Sequence, residues 1–439
     1  MSASTAANCS AVVAKLDGQV ANVTQMCRDR WFDPEQTLFS SCFSKGATMN
    51  RTASIKALRT AFGQQRLTLF LGAGVSVANG LPTWEKLVLS LYFSTISEQQ
   101  MNGWRPYANY LYAISEWYLK RSIEPLEITA RKTKSFYENS DVGEKAFLDA
   151  IRDALYGVNT FFAPQQLRRG NSTLDSVVKL CAAKRSGRFG VSSVISYNYD
   201  NLLELTLKGK RPNQPVYSND AQIADHLPIF HVHGYVPHRP EEIGNSNGGI
   251  IFTEAEYNVV ASDPYSWSNI VQLREMSSNV GLMIGLSLSD RNIRRLLDAL
   301  SRSPLKPKIY ALLMTPSLTE VSDEDADGIH RQAIEIRGKF DRSGIKSSNP
   351  MGEGAGFTRQ GRPSAGIKAN LKAAPRSGRR TGIKSARQYQ YEIRGIVEQV
   401  ERLAQEQQHR VMEQLGIVPI WIDNYNKIPG VLREIYGSR

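Results

Sequence analysis

The chain has 439 residues with 41% hydrophobic and 22% charged side chains, ordinary globular usage that allows one large domain or two. No apolar run approaches the roughly 20 residues of a spanning helix, and the amino terminus lacks a basic start followed by an apolar stretch, so the expectation is a cytoplasmic protein without a membrane partner. The formal net charge of +12 suggests an anionic partner until it is located: Lys339 to Arg387 holds twelve Lys or Arg against Asp341 and Glu353, and the rest is nearly neutral.

Taken in order, residues 1–50 are polar and weakly patterned, with Trp31, Phe32, Phe39 and Phe43 as their aromatic anchors, and read as an extension. The spacing of Ile55, Leu58 and Phe62 predicts a helix over Thr52–Phe62 that leads into a short buried strand, Leu67 to Gly72. Amphipathic stretches such as Trp84–Leu91 and Phe147–Leu155 predict an inserted helical lobe over about 84–190. Strand-like runs occur at Val191–Ser196, Ile229–His233, Val280–Gly285, Ile309–Leu313 and Ile417–Ile422, with helical patterns between most of them. After Ser289, the positions Ile293, Leu296, Leu297 and Leu300 share one helix face, with Ser289 or Asp290 placed to cap it. This alternation predicts an α/β fold, a Rossmann-like doubly wound and mainly parallel sheet.

Residues 338–386 are rich in Gly, Ser, Pro, Lys and Arg and repeat Gly-Ile-Lys at Gly344, Gly366 and Gly382. Such a composition buries too little apolar area to offset ordering entropy, so it reads as a mobile basic insertion. Weak nucleic-acid contact through 339–387 is the electrostatic alternative to a solvated loop. The last helical pattern, with Ile393, Ile396, Val397, Val400 and Leu403 on one face, leads back to the final strand, so 387–439 is expected to complete the domain begun at 51–318.

Four segments carry chemistry. Gly72-Ala73-Gly74-Val75-Ser76 comes directly after a buried strand, where glycines let the backbone turn sharply and approach an anion and the amides of the next helix start can meet a pyrophosphate. Gly80-Leu81-Pro82-Thr83-Trp84 comes just after it. Ser196-Tyr197-Asn198-Tyr199-Asp200 lies at a strand's carboxyl end, where open parallel sheets bind ligands, although Asn198 and Asp200 could instead cap the next helix. His231-Val232-His233-Gly234 offers an acid–base histidine beside a glycine, with both imidazoles expected on one strand face. Gly285-Leu286-Ser287-Leu288-Ser289-Asp290 adds another turn with a hydroxyl at the same sheet edge.

Together and in this order the four segments resemble the sirtuin superfamily: its GAG-x-S nucleotide loop, its T-x-N-x-D strand end, its His-Gly and its later Gly-x-Ser loop, over roughly Ile55 to Ala299. NYD followed by Leu-Leu-Glu, and the GLSLSD loop, are similar to the bacterial sirtuin-like branch, whose members often hydrolyse NAD and are associated with antiphage defence. By that resemblance His233 is the acid–base group, Asn198 binds ribose and positions water, and Asp200 is its electrostatic partner. Gly72, Ala73, Gly74, Ser76, Pro82, Trp84, Gly285 and Ser287 line the dinucleotide, while His231 and His238 have no assigned role.

The deacylating sirtuins carry two pairs of zinc-ligating cysteines between the histidine and the later loop. This chain has only Cys9, Cys27, Cys42 and Cys181, no C-x-x-C pair and no cysteine after Cys181, so no metal is expected. The resulting expectation is a regulated NAD glycohydrolase that releases nicotinamide and ADP-ribose or a cyclic form. Homo-oligomerisation and a partner ATPase or phage-sensing protein are implied with it. The alternatives are an acyl-lysine deacylase, an ADP-ribosyl transferase, or a module that binds NAD or ADP-ribose without turnover.

Overall fold

The computed structural model describes residues 51–100, 125–139, 143–156, 173–219, 221–239, 249–288, 290–304, 308–315, 322–342 and 382–437, with isolated positions between 110 and 121. Contacts divide the chain into two compact units, Met1–Leu313 with Leu415–Arg439, and Met314–Gln414. The expected N-terminal extension, Ser289 and residues 343–381 of the expected basic insertion lie outside the described residues.

In the first unit, residues 51–63 form the expected helix and bury Ile55, Leu58 and Phe62. Strand β1, Leu67–Leu71, is buried along its whole length, as an apolar run without alternation requires of a central strand covered on both faces. The chain then supplies a hairpin of β2, Lys184–Arg185, and β3, Arg188–Phe189, followed by β4, Val191–Ser196, β5, Asn213–Val216, β6, Leu227–His231, β7, Val280–Ile284, β8, Lys308–Met314, and β9, Ile417–Ile422. The main sheet has seven strands in the order β5-β6-β4-β1-β7-β8-β9, and the pairs from β5 through to β8 are parallel. After β1 the chain builds β4, β5 and β6 on one side and then crosses to β7 and β8 on the other. β1 is therefore the topological switch point, its carboxyl end flanked by those of β4 and β7, the position at which open α/β sheets bind ligands. This is the α/β, Rossmann-like fold that the alternating pattern predicts.

Helices occupy the stretch after β1: Trp84–Gln100, Leu126–Glu138 and Gly143–Tyr156 pack on one another, and Thr173–Ala182 packs on the C-terminal helix Ile428–Tyr436. Phe147 stands edge-on to Phe252 at 5.3 Å, and Lys134 pairs with Glu256. Glu256 also closes a capping box with Thr253, fixing the start of the helix Glu254–Ser262. Behind the sheet, helix Trp267–Ser278 buries a polar face. Its Glu275 carboxylate accepts hydrogen bonds from Thr68 of β1 at 3.2 Å, Ser193 of β4 at 2.5 Å and Asn279 beside β7 at 2.9 Å, tying the three central strands together.

Three strand-level readings need correction. β6 ends at His231 instead of His233, because Gly234 at φ +103° turns the chain and donates back to the His231 carbonyl at 3.2 Å. β5 is absent from the sequence reading because Asn213-Gln214-Pro215-Val216 shows neither apolar alternation nor strong β-formers. Its Pro is tolerated because the strand lies at the sheet edge. The β2–β3 hairpin turns at Ser186 and Gly187, both at positive φ, a Ser-Gly turn signal that the sequence does carry.

In the second unit, helices Asp323–Arg342 and Gly382–Gln414 pack together, joined by Arg394–Asp323 at 2.5 Å and Gln390–Asp327 at 3.0 Å. The two ends of the expected insertion, 338–342 and 382–386, are helical. Of the apolar residues expected on one face of the long helix, Ile396, Val400 and Leu403 are exposed. No helix among the described residues is long and apolar enough to cross a membrane.

Packing at the start of β4 is tight enough to test. A Cβ on Gly190 would fall 2.3 Å from the ring of Phe62, itself buried in the core. Gly190→Ala is expected to destabilise the protein by about 1–3 kcal/mol, the ordinary cost of overpacking, and denaturant unfolding beside the parent checks it.

Candidate functional site at the carboxyl edge of the sheet

The loops after β1, β4, β6 and β7 meet at this edge. Gly72 donates to the Ile284 carbonyl and Gly74 to that of Gly285, both at 3.0 Å. A Cβ on Gly72 would lie 2.5 Å from the Gly285 carbonyl oxygen, and one on Gly74 2.8 Å from the Gly285 Cα. The motif glycines therefore serve first to bring two loops into backbone contact. Beyond Gly72 the chain forms two short 3-10 turns, Ala73–Val75 and Val77–Asn79, where an α-helix start was expected. The Val75 and Ser76 amides bond to Gly72 and Ala73 carbonyls, so a pyrophosphate cradle made of successive free amides is not what the segment forms. Ala73, Gly74 and Gly285 remain partly accessible, and Ser287 is exposed.

Asn198 stands just past β4. Its side-chain amide donates to the Gly72 carbonyl at 3.1 Å and to Ser76 Oγ at 3.3 Å. A carbonyl can only accept, so the contacting atom is the amide nitrogen, and Oδ1 of this half-buried residue meets no donor among the described residues. Asp200 accepts from Ser76 Oγ at 2.9 Å through Oδ2 and from the Leu202 amide at 3.1 Å through Oδ1, so it partly caps the next helix as well. Burial pushes its carboxyl up from 3.8 to about 6, with Glu204 adding to the rise, while the Leu202 and Ser76 donors and His231 oppose it.

The two histidines part company because the strand stops between them. His233 is enclosed by the rings of Tyr197 at 5.2 Å and Tyr257 at 5.4 Å, both nearly perpendicular to it. Its Nε2 is buried, lies 3.4 Å from Asp290 Oδ2 and makes no aligned hydrogen bond among the described residues. Burial holds its pKa below the usual value, against the opposing pull of Asp290 and the Tyr197 backbone, which keeps a neutral imidazole ready to accept a proton. Asp290 also caps the helix Arg291–Ser301 through Oδ1, which accepts from the amides of Asn292 and Ile293 at 2.8 and 3.0 Å. His231 instead meets the Asn198 carbonyl and Glu204, so the expectation that both imidazoles share one face does not hold.

The structure thus brings Gly72, Gly74, Ser76, Asn198, Asp200 and Gly285 into one contact network, with His233 at the adjoining turn. Pro82 and Trp84 are partly buried at the start of the helix Trp84–Gln100, with no contact to that network among the bonds above. Sequence reasoning missed Tyr257, whose hydroxyl donates to Asp290 at 3.3 Å, and Tyr197, whose hydroxyl donates to Gln272 at 2.7 Å. It also missed Tyr156, which donates to the Val236 carbonyl at 2.8 Å and accepts from the Asn201 amide at 3.0 Å. Nothing in the local pattern marks Tyr156 or Tyr257, and Tyr197, although inside the Ser196–Asp200 motif, gains its role from a partner distant in sequence. Leu288, buried and at φ +57°, holds a left-handed backbone within the loop after β7, a conformation that side chains adopt at a cost of roughly 1–2 kcal/mol.

Two open surface grooves, of about 450 Å³ around Lys179, Lys210 and Tyr436 and about 480 Å³ around Lys56, Arg59 and Arg185, lie away from these residues. Among the described residues no group of three His, Cys, Asp or Glu side chains could hold a metal ion. Cys181 is fully buried, with its thiol pushed up to about 12 by burial, which suits packing and disfavours a thiolate ligand.

The Asp200 environment sets a pH dependence whose sign is opposite to that of a salt-bridged carboxylate. Its folded pKa is raised, so the folded state carries no ionisation penalty below about pH 4, acquires it as pH rises to about 6, and bears it in full above. Asp200→Asn is therefore expected to stabilise the fold at pH 7.5 by up to about 3 kcal/mol relative to its effect at pH 4. Thermal melts of both proteins across that range check it.

Residues 192–335 match a family model described as a SIR2-like domain. No curated protein matches the chain. The matched span contains Asn198, Asp200, His233, Gly285 and Ser287, and on it this chain is similar to the sirtuin-like superfamily, whose activities are NAD-related.

Proposed function

We propose that the protein hydrolyses the nicotinamide–ribose bond of NAD. The observation that carries this reading is the convergence at one switch point of a buried neutral histidine, an asparagine amide with an open acceptor, and a carboxylate held near neutrality, within a SIR2-like match. Cleavage of the glycosidic bond develops oxocarbenium character on the ribose while nicotinamide leaves as a neutral base, and a water molecule then adds to the sugar carbon and loses a proton. Asn198 Oδ1 is placed to accept from a ribose hydroxyl or that water. The Asp200 carboxylate favours the developing positive charge, and His233 takes the proton.

The burial of His233, 5% exposed under Tyr257 and Asp290, supports restraint as part of the design, since substrate must displace these neighbours to reach the imidazole. A latent NAD-consuming activity of this kind fits an effector of antiphage defence. Oligomerisation, or an activating ATPase or sensor, would supply the release, because unchecked NAD loss harms the cell that makes it.

Nicotinamide release by purified protein, monitored by chromatography with any required activator present, tests the reading. His233→Ala and Asn198→Ala are expected to lower turnover by about two to four orders of magnitude in variants that a thermal melt shows to be folded. His226→Ala, on the loop before β6, is the control expected to leave turnover unchanged. A folded His233→Ala that keeps pace with the parent would overturn the assignment.

A further inference from the structure

His231 is 1% exposed and makes two bonds in opposite directions. Nδ1 lies 3.1 Å from the Asn198 carbonyl and Nε2 lies 2.6 Å from Glu204 Oε1, while the Tyr235 ring covers one side at 4.6 Å. A carbonyl only accepts, so Nδ1 carries a proton. The short contact at Nε2 then holds one more, shared between imidazole and carboxylate. Imidazole is intrinsically the more basic of the two, by about two pKa units, so at comparable burial the proton rests on the ring. The groups facing the ring are consistent with a cation: Glu204 from helix Leu202–Leu207, Asp200 from the loop after β4, and the uncharged Tyr235 from the loop after β6. Burial alone would lower the pKa, yet Glu204, the Asn198 carbonyl and Asp200 together raise it.

We propose that His231, anchored by Glu204, is a positioning residue that grips the Asn198 backbone carbonyl and thereby sets where the Asn198 side chain meets substrate. The proposal rests on the reading of Asn198 as the ribose- and water-binding group. Asn198 sits on an irregular segment between β4 and the next helix, and its side-chain amide is held by Gly72 and Ser76. Its backbone amide donates to Ser196 Oγ at 3.2 Å, and its carbonyl is held by His231 at 3.1 Å and more loosely by Ser196 Oγ at 3.4 Å. Glu204 serves as the fixed post. Its Oε2 is buried and has no hydrogen-bond partner among the described residues, while its other oxygen meets the histidine.

Two substitutions separate positioning from mere packing, because Asn can reproduce Nδ1 of a histidine and Gln can reproduce Nε2. His231→Asn keeps a donor for the Asn198 carbonyl and strands Glu204. His231→Gln keeps a donor for Glu204 and releases the carbonyl. Positioning predicts that His231→Asn melts lower yet retains kcat within about twofold, whereas His231→Gln melts closer to the parent and loses kcat about tenfold at near-constant KM for NAD. If activity instead tracks stability, with the Gln variant the more active, the proposal is overturned. A readout independent of turnover is the side-chain amide resonance pair of Asn198, assigned by its loss in Asn198→Ala. It should move in the Gln variant and hold in the Asn variant; the reverse, or no movement in either, contradicts the proposal even if the parent never releases nicotinamide, an outcome that would instead sink the hydrolase reading.

Discussion

The arrangement at the sheet edge depends on the side-chain amide of Asn198, which ties the loop after β1 to the loop after β4 through Gly72 and Ser76. The loop after β1 holds two short 3-10 turns and the segment after β4 is irregular, and the Asn198 amide acts with the Ser76 Oγ bond to Asp200 to join them. The link is possible because Gly72, Gly74 and Gly285 let the loops after β1 and β7 approach to backbone contact, leaving the Gly72 carbonyl where an asparagine can reach it. One bond thus depends on three residues without side chains, on loops distant from one another in sequence and adjacent in the sheet.

Around that link the interior is more polar than a core needs to be. Asp200, Glu204, His231 and His233 are all buried, and each costs desolvation that hydrogen bonds only partly offset. Asp200 near neutrality and a histidine lowered by burial are unfavourable for stability but suited to proton transfer, the usual separation of roles where titratable groups share a site. The Glu275 cluster behind the sheet is the contrasting case: Oε2 accepts from Thr68, Ser193 and Asn279, Oε1 pairs with Arg274, and the carboxylate joins the central strands.

Much of the sheet was legible because β1, β7, β8 and β9 are mostly apolar runs bounded by glycine or polar turns, a pattern that needs no partner to be seen. β5 was not, since an edge strand with a proline is defined by its neighbour and not by its own residues. The end of β6 was misread because His231-Val232-His233 continues the apolar alternation that Gly234 breaks. At the site, Asn198, Asp200, Ser76 and His233 stood out as motif residues at strand ends. Tyr257, Asp290 as the neighbour of His233, and Glu204 as the partner of His231 did not, because those contacts join segments that only the folded chain brings together.

On this reading NAD binds at the carboxyl end of β1 with its scissile bond toward Asn198 and His233. A crystal structure of the His233→Ala protein soaked with NAD tests it most directly. The dinucleotide is expected along Gly72–Ser76 and Gly285, with the nicotinamide ribose within hydrogen-bonding distance of Asn198 Oδ1. Density for the dinucleotide elsewhere, such as the groove lined by Lys56, Arg59 and Arg185, with this sheet edge empty, would contradict it.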